Sequence, residues 1–145
     1  MELKTTDELN HEIKTVTDIS DFLNKNKWNM MTHGLSEHLN LLLSQKNLSR
    51  ADVVRGSLLD RAYVYQIFSG EKTPSRDKLL ALAFGLCLSD SEAQKMLKQS
   101  GNRELYSRDA RDALILFALQ RKKTIFETNE LLVDHGFNVL GVPKE

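Results

Sequence analysis

The chain has 145 residues, 41% of them hydrophobic, a single cysteine, and 20 basic side chains balancing 20 acidic ones. That length favours one domain, or one core with an appendage, and chains of this size bury roughly two-thirds of their unfolded surface. Zero net charge excludes any argument for nucleic-acid binding from overall basicity, one cysteine excludes a disulfide framework and suits a reducing cytosol, and no apolar run approaches the ~20 residues that span a bilayer.

The pattern is helical throughout. The polar, acidic start, MELKTTDELNHEIK, does not read as a signal peptide. Thr6 or Asp7 opens a first helix with Leu9, Ile13 and Val16 at helical spacing, and Thr17 caps a short second one through Ile19, Phe22 and Leu23. NKNKWNMMTHG reads as a linker that Trp28 anchors to the core. Leu35, Leu39, Leu42 and Leu43 form the next apolar stripe. Ser49 and Asp52 are a capping pair before Val53 and Val54. Asp60 caps a helix that Gly70 ends, and Ser75 caps RDKLLALAF, which Gly85 closes. Ser89 with Glu92, and Thr124 with Glu127, are capping boxes; Ser107 opens the apolar RDARDALILFALQ between them. The expectation is an all-α fold of about eight helices. Residues 1–33 form an N-terminal helical arm, 34–88 a helix-turn-helix domain, and 89–145 a C-terminal helical extension packed on that core.

The helix from Asp60 to Ser69 carries the functional signal. At about 100° per residue, Val64, Ile67 and Phe68 share one side. Ala62, Tyr65, Gln66 and Ser69 share the other, with Arg61 at its flank. Arginine and glutamine side chains form the paired hydrogen bonds that read guanine and adenine in the major groove. The preceding helix starts at Ser49, where its backbone N–H groups are placed to hold a phosphate. A helix, a turn and a second helix exposing base-reading groups make the recognition geometry of many repressors.

LSRADVV and DRAYVYQIFSGEKTPSRDKLLALAFGL resemble the phage-repressor-like (Xre/Cro-class) helix-turn-helix regulators from about Leu35 to Leu88. With YQIFSG, PSRDKLLALA and TNELL, the chain is most similar to a bacterial subfamily of small members with a helical C-terminal extension. The resemblance implies a DNA-binding core that often dimerises. By position it implies base contacts from Arg61, Ala62 and Gln66 and phosphate contacts from Arg50 and Ser69; Tyr65 on the same face joins the base-contacting candidates, and Ser49 and Lys72 join the phosphate-contacting ones. Two departures stand out. The class has glycine in the turn where Leu58 stands; a left-handed leucine costs roughly 1–2 kcal/mol, so a rebuilt turn is expected. The loop after Gly70 carries Glu71 where a cation is usual. From Ser49 to Lys78 six basic residues face four acids, a net of only +2.

Other motifs favour plain structural readings. Ser75-x-x-Lys78 reads as a cap with a first-turn lysine rather than an acyl-serine site. GEKT at Gly70 lacks a phosphate loop's upstream glycine and strand. His11, His33, His38 and His135 have no metal-ligand spacing, and Cys87, within GLCLS, reads as buried and inert. Arg121 to Lys123 suits the dipole at a helix end. No enzyme and no cofactor is expected. The partner expected first is double-stranded DNA, bound by a cytoplasmic homodimer joined near Arg108–Gln120 and TNELLVDHGFNVL, with no membrane role. The other reading is a protein-interaction adaptor on the same fold, helped by the acidic arm.

Overall fold

Local capping chemistry starts almost every element. The computed structural model describes residues 4–26 and 34–141. Among them lie nine α-helices: α1 (Thr6–Thr15), α2 (Ile19–Lys25), α3 (Leu35–Gln45), α4 (Arg50–Ser57), α5 (Arg61–Ser69), α6 (Arg76–Gly85), α7 (Asp90–Gln99), α8 (Ala110–Gln120) and α9 (Ile125–Asp134). Every helix except α3 opens on a side chain that accepts a first-turn N–H. Full capping boxes form at Ser49/Asp52, Ser89/Glu92 and Thr124/Glu127. α1 begins at Thr6, as expected, with Thr5 as its cap, but two other starts shift. Asp18 rather than Thr17 caps α2. Asp109 rather than Ser107 caps α8, because residues 106–109 make a turn of their own, closed by Asp109 N–H on the Tyr106 carbonyl at 2.9 Å. Trp28 and its expected anchoring lie outside the described residues.

One apolar core runs from α3 to Leu140, drawing on Leu39, Val53, Val64, Leu79, Met96, Ile115, Ile125 and Leu132. α1 and α2 form a small pair in which Phe22 is buried and Asn26 donates to Glu12 at 2.8 Å. The tightest contact in the core is between α4 and α6. A Cβ on Gly85 would lie 2.7 Å from the Val53 carbonyl oxygen, and one on Gly56 would lie 3.0 Å from the Gly85 Cα. Gly85 is the last residue of α6, as expected, but not as a left-handed cap. It stands there so that two backbones can touch, and the left-handed residue that follows α6 is Cys87, with φ 55°. The expectation that Cys87 is buried fails for the same reason. Leu88 N–H bonds back to Ala83 O at 2.9 Å, which turns Leu86 and Leu88 inward and Cys87 out to solvent.

Two Arg-Asp dipeptides lock α6 to α8. The Arg76 guanidinium grips Asp112 with both nitrogens, at 3.1 and 2.9 Å, and also donates to the carbonyls of Arg103 and Glu104. Tyr106 N–H adds a bond to Asp112, whose side chain is 3% exposed. In the reverse sense, Arg111 forks onto Asp77 at 2.8 and 3.2 Å. Burial alone would raise the Asp112 pKa, but the Arg76 and Tyr106 hydrogen bonds and the charges of Arg76 and Arg103 outweigh it and hold it below the ordinary value.

Asp112→Asn is expected to lower stability at pH 7 by about 3 kcal/mol, the scale of breaking a buried pair. The carboxylate's contribution is present above the unfolded-state pKa of about 3.9 and is lost as pH falls through the lower folded value. Urea titrations across pH 2–6 should show a shallower acid limb in the variant.

His38 supplies a second pH dependence. It is 6% exposed, and neither ring nitrogen has a hydrogen-bond partner. Burial first, then Lys95, lowers its pKa, against the opposing pull of Glu92. The unfolded chain takes up this proton near pH 6.5 and the folded chain only below that. Stability should therefore decline as pH falls below about 6.5, and a series of unfolding curves for His38→Leu should lack that component.

Candidate nucleic-acid interface

α4, its turn and α5 meet in the expected order. In α5, Val64, Ile67 and Phe68 are buried, while Arg61, Ala62, Tyr65 and Ser69 are exposed. Gln66 is half-buried rather than fully outward. The Asp60 carboxylate accepts Tyr63 N–H at the helix start, and Gly70 closes the helix at φ 88°.

The expectation of a rebuilt turn is overturned. Leu58 is left-handed, with φ 59° and ψ 17°. The surroundings hold it there. Its side chain packs on the core, Leu59 is buried, and Ser57 Oγ accepts Leu59 N–H at 3.3 Å. A C-terminal strap then backs the turn: a Cβ on Gly141 would lie 2.1 Å from the Ser57 carbonyl oxygen and 3.1 Å from the Leu58 Cβ. Asn129 fixes that strap by donating to Leu140 O and accepting Leu140 N–H, each at 2.9 Å, and Arg111 donates to Asn138 O at 3.1 Å. Sequence reading missed Arg111, Asn129 and Gly141. All three act on residues at least eleven positions away, and the only local sign was a glycine directly after a buried leucine.

The structure brings three of the candidate residues together. Arg50, at the start of α4, lies 5.7 Å from the centre of the Tyr65 ring, and Arg61 lies 5.2 Å from it. Arg61 also donates to the Tyr65 hydroxyl at 3.2 Å. Two guanidinium groups thus share one exposed aromatic ring, a cation–π arrangement that orders both.

Other candidates are more constrained. The capping box engages the N–H groups of Ser49 and Asp52, so only those of Arg50 and Ala51 stay open at the start of α4. The Ser69 hydroxyl donates to Gln66 O at 3.0 Å and is left as an acceptor. Lys72 and Glu71 are both exposed on the following loop, their N–H groups bonded to Gln66 O. Arg55 pairs with Asp52, and hydrogen bonds from Ser49 hold that carboxylate below its ordinary pKa, aided by Arg55. Arg76 is committed to Asp112, and Lys78 lies 4.3 Å from the centre of the Tyr63 ring. Two of the six cations are therefore committed to acids, while Arg111 in turn neutralises Asp77, so the local net charge stays as small as the sequence count.

Among the described residues, no helix is long and apolar enough to cross a membrane, and no group of three or more His, Cys, Asp or Glu side chains is arranged to hold a metal. No family model matches the chain, and no curated protein or solved structure matches it either.

Gly141→Ala tests the strap. Gly141 and Gly136 both have positive φ, 79° and 80°, but nothing lies within 4 Å of a Cβ on Gly136. Gly136→Ala should show only the backbone penalty of roughly 1–2 kcal/mol. Gly141→Ala should exceed it, because the Ser57 carbonyl blocks the new methyl. Equal losses in chemical unfolding would remove the strap's role at the turn.

Proposed function

We propose that the chain is a sequence-specific regulator that binds double-stranded DNA through α4 and α5. The observation that carries this reading is the exposed Arg50–Tyr65–Arg61 cluster, set opposite the buried face of α5 and beside Gln66. In it, α5 lies in the major groove. Arg61, Ala62, Tyr65 and Gln66 face base edges, while Arg50, Ser49, Ser69 and Lys72 face the backbone. The reading includes no catalytic step and no cofactor, and it places the protein in a reducing cytoplasm.

Selection of bound sequences from a random DNA pool tests it directly. Gln66→Ala should relax preference at one position and cost about 1–3 kcal/mol there, whereas Arg50→Ala should weaken all sequences alike. Glu71→Lys should tighten binding and steepen the salt dependence by about 0.9 in the log–log slope, one more neutralised phosphate. Enrichment of no sequence would overturn the reading.

A second reading, a protein-interaction adaptor, is favoured by a different observation. Arg55 and Arg76 are both held by acids, and Glu71 stands exposed beside the recognition helix. In this reading the same face meets a protein, and the random-pool selection fails while the fold stays intact.

The DNA reading includes a two-fold dimer near α8 and α9. α8 buries Ile115, Ala118 and Leu119 within its own chain, yet Phe117 stays 40% exposed under the Arg121 guanidinium, 3.9 Å from the ring centre. Phe117→Asp should give a folded monomer with weaker DNA binding. Light scattering of wild type at tens of micromolar decides the premise, and a monomer there removes the dimer.

A further inference from the structure

A cavity of about 430 Å3 opens where α4, the end of α6, the end of α8 and the start of α9 converge. That volume lies within the ~300–1,000 Å3 of small-molecule sites, which combine apolar walls with a few polar groups that orient the ligand. The walls here include Leu48, Phe84, Leu88, Leu119, Ile125 and Phe126. Phe126 is more than half exposed, although it belongs to this apolar lining. The polar lining is unequal in charge. Asp52 contributes a carboxylate, but Ser49 N–H and Arg55 already engage it. The Thr124 hydroxyl accepts Glu127 N–H, and Glu127 returns its carboxylate to Thr124 N–H. Lys122 and Lys123 also line the cavity, and neither forms an ion pair among the described residues. The Thr124 hydrogen bonds lower the Glu127 pKa and the charge of Lys123 adds to this, so the lining's cationic residues are Lys122, which is exposed, and Lys123, shared with Glu127, beside an apolar enclosure.

We propose that this cavity binds a small anionic amphiphile: one carboxylate head set against Lys122 and Lys123, and an apolar body lying along Leu48, Phe84 and Phe126, the apolar lining that is least buried. The assignment is independent of DNA binding. Both parts of the ligand follow from the lining. An apolar body displaces water from walls that cannot hydrogen-bond it, and a single anion satisfies the two cations without burying a charge alone.

Cys87 makes the proposal testable, because the chain's sole thiol is exposed and lines the same cavity. The full chain is alkylated with iodoacetamide while octanoate, octanol or octylammonium is titrated in, each below its aggregation range. Octanoate should slow alkylation in a saturable way, and calorimetry should give one octanoate per chain. Octanol should need about tenfold more to reach the same protection, and octylammonium should give none. In the Lys122→Glu/Lys123→Glu protein, the octanoate concentration for half protection should rise by about tenfold or more. The milder Lys122→Gln/Lys123→Gln pair should give a smaller rise in the same direction. Octanol protecting as well as octanoate, the charge-reversed protein binding octanoate unchanged, or calorimetry without saturation would each overturn the proposal.

Discussion

The Arg76–Asp112 pair is the interaction on which the placement of the C-terminal half depends. A buried carboxylate is tolerated only with its lone pairs filled, and Asp112 meets that condition through Arg76 and the Tyr106 N–H. Arg76 in turn reaches the carbonyls of Arg103 and Glu104, so one guanidinium organises the irregular stretch between α7 and α8. The reciprocal Arg111–Asp77 fork lies one residue along and extends to Asn138 O. A line of dependence follows. α6 fixes the start of α8, α8 and α9 carry the strap, and Gly141 meets the turn before α5. Such pairs contribute more to register than to net stability, because desolvation offsets most of their attraction. Here the register they set is that of the element that exposes Arg61 and Tyr65.

What was legible in the sequence was local. A capping box is a four-residue event, so Ser49/Asp52, Ser89/Glu92 and Thr124/Glu127 could be read without tertiary knowledge. Where two capping residues stand close together, as at Thr5/Thr6 or Thr17/Asp18, the choice rests on backbone geometry that periodicity does not report. The apolar face of α5 was legible because three buried residues recur at helical spacing. What α5 presents outward was legible only in kind. That Tyr65 would gather Arg50 from another helix, and that Arg76 would be taken up by Asp112, are long-range facts.

Glycine stands at helix ends here for two physical reasons. Gly70 is there because positive φ suits it, but Gly85, the last residue of α6, is there because the α4 backbone leaves no room for a Cβ. Gly101 and Gly136 follow α7 and α9 with positive φ as well, but after α3, α6 and α8 the left-handed position falls to Asn47, Cys87 and Lys122. At each, the next N–H reaches back to the last turn: Leu48 to Leu43, Leu88 to Ala83 and Lys123 to Ala118. That bond satisfies a carbonyl the helix would otherwise leave open. At Leu48 and Leu88 it also turns a leucine toward the core, which offsets the strain of a left-handed side chain.

The balance between charge and position bears on how α4 and α5 would act under the proposed reading. Long-range attraction to a polyanion scales with uncommitted cations, and here Arg55 and Arg76 are both paired with acids. Arg50 and Arg61 compensate by placement. Two like charges on one ring repel each other, and the ring's negative face is what permits their approach. An anion arriving between them would relieve that repulsion at little ordering cost, since Tyr65 already holds both side chains. Discrimination would then come from a few oriented groups rather than from a broad positive field. Each mismatched base pair would weigh on them directly, with little sequence-independent attraction to mask the loss.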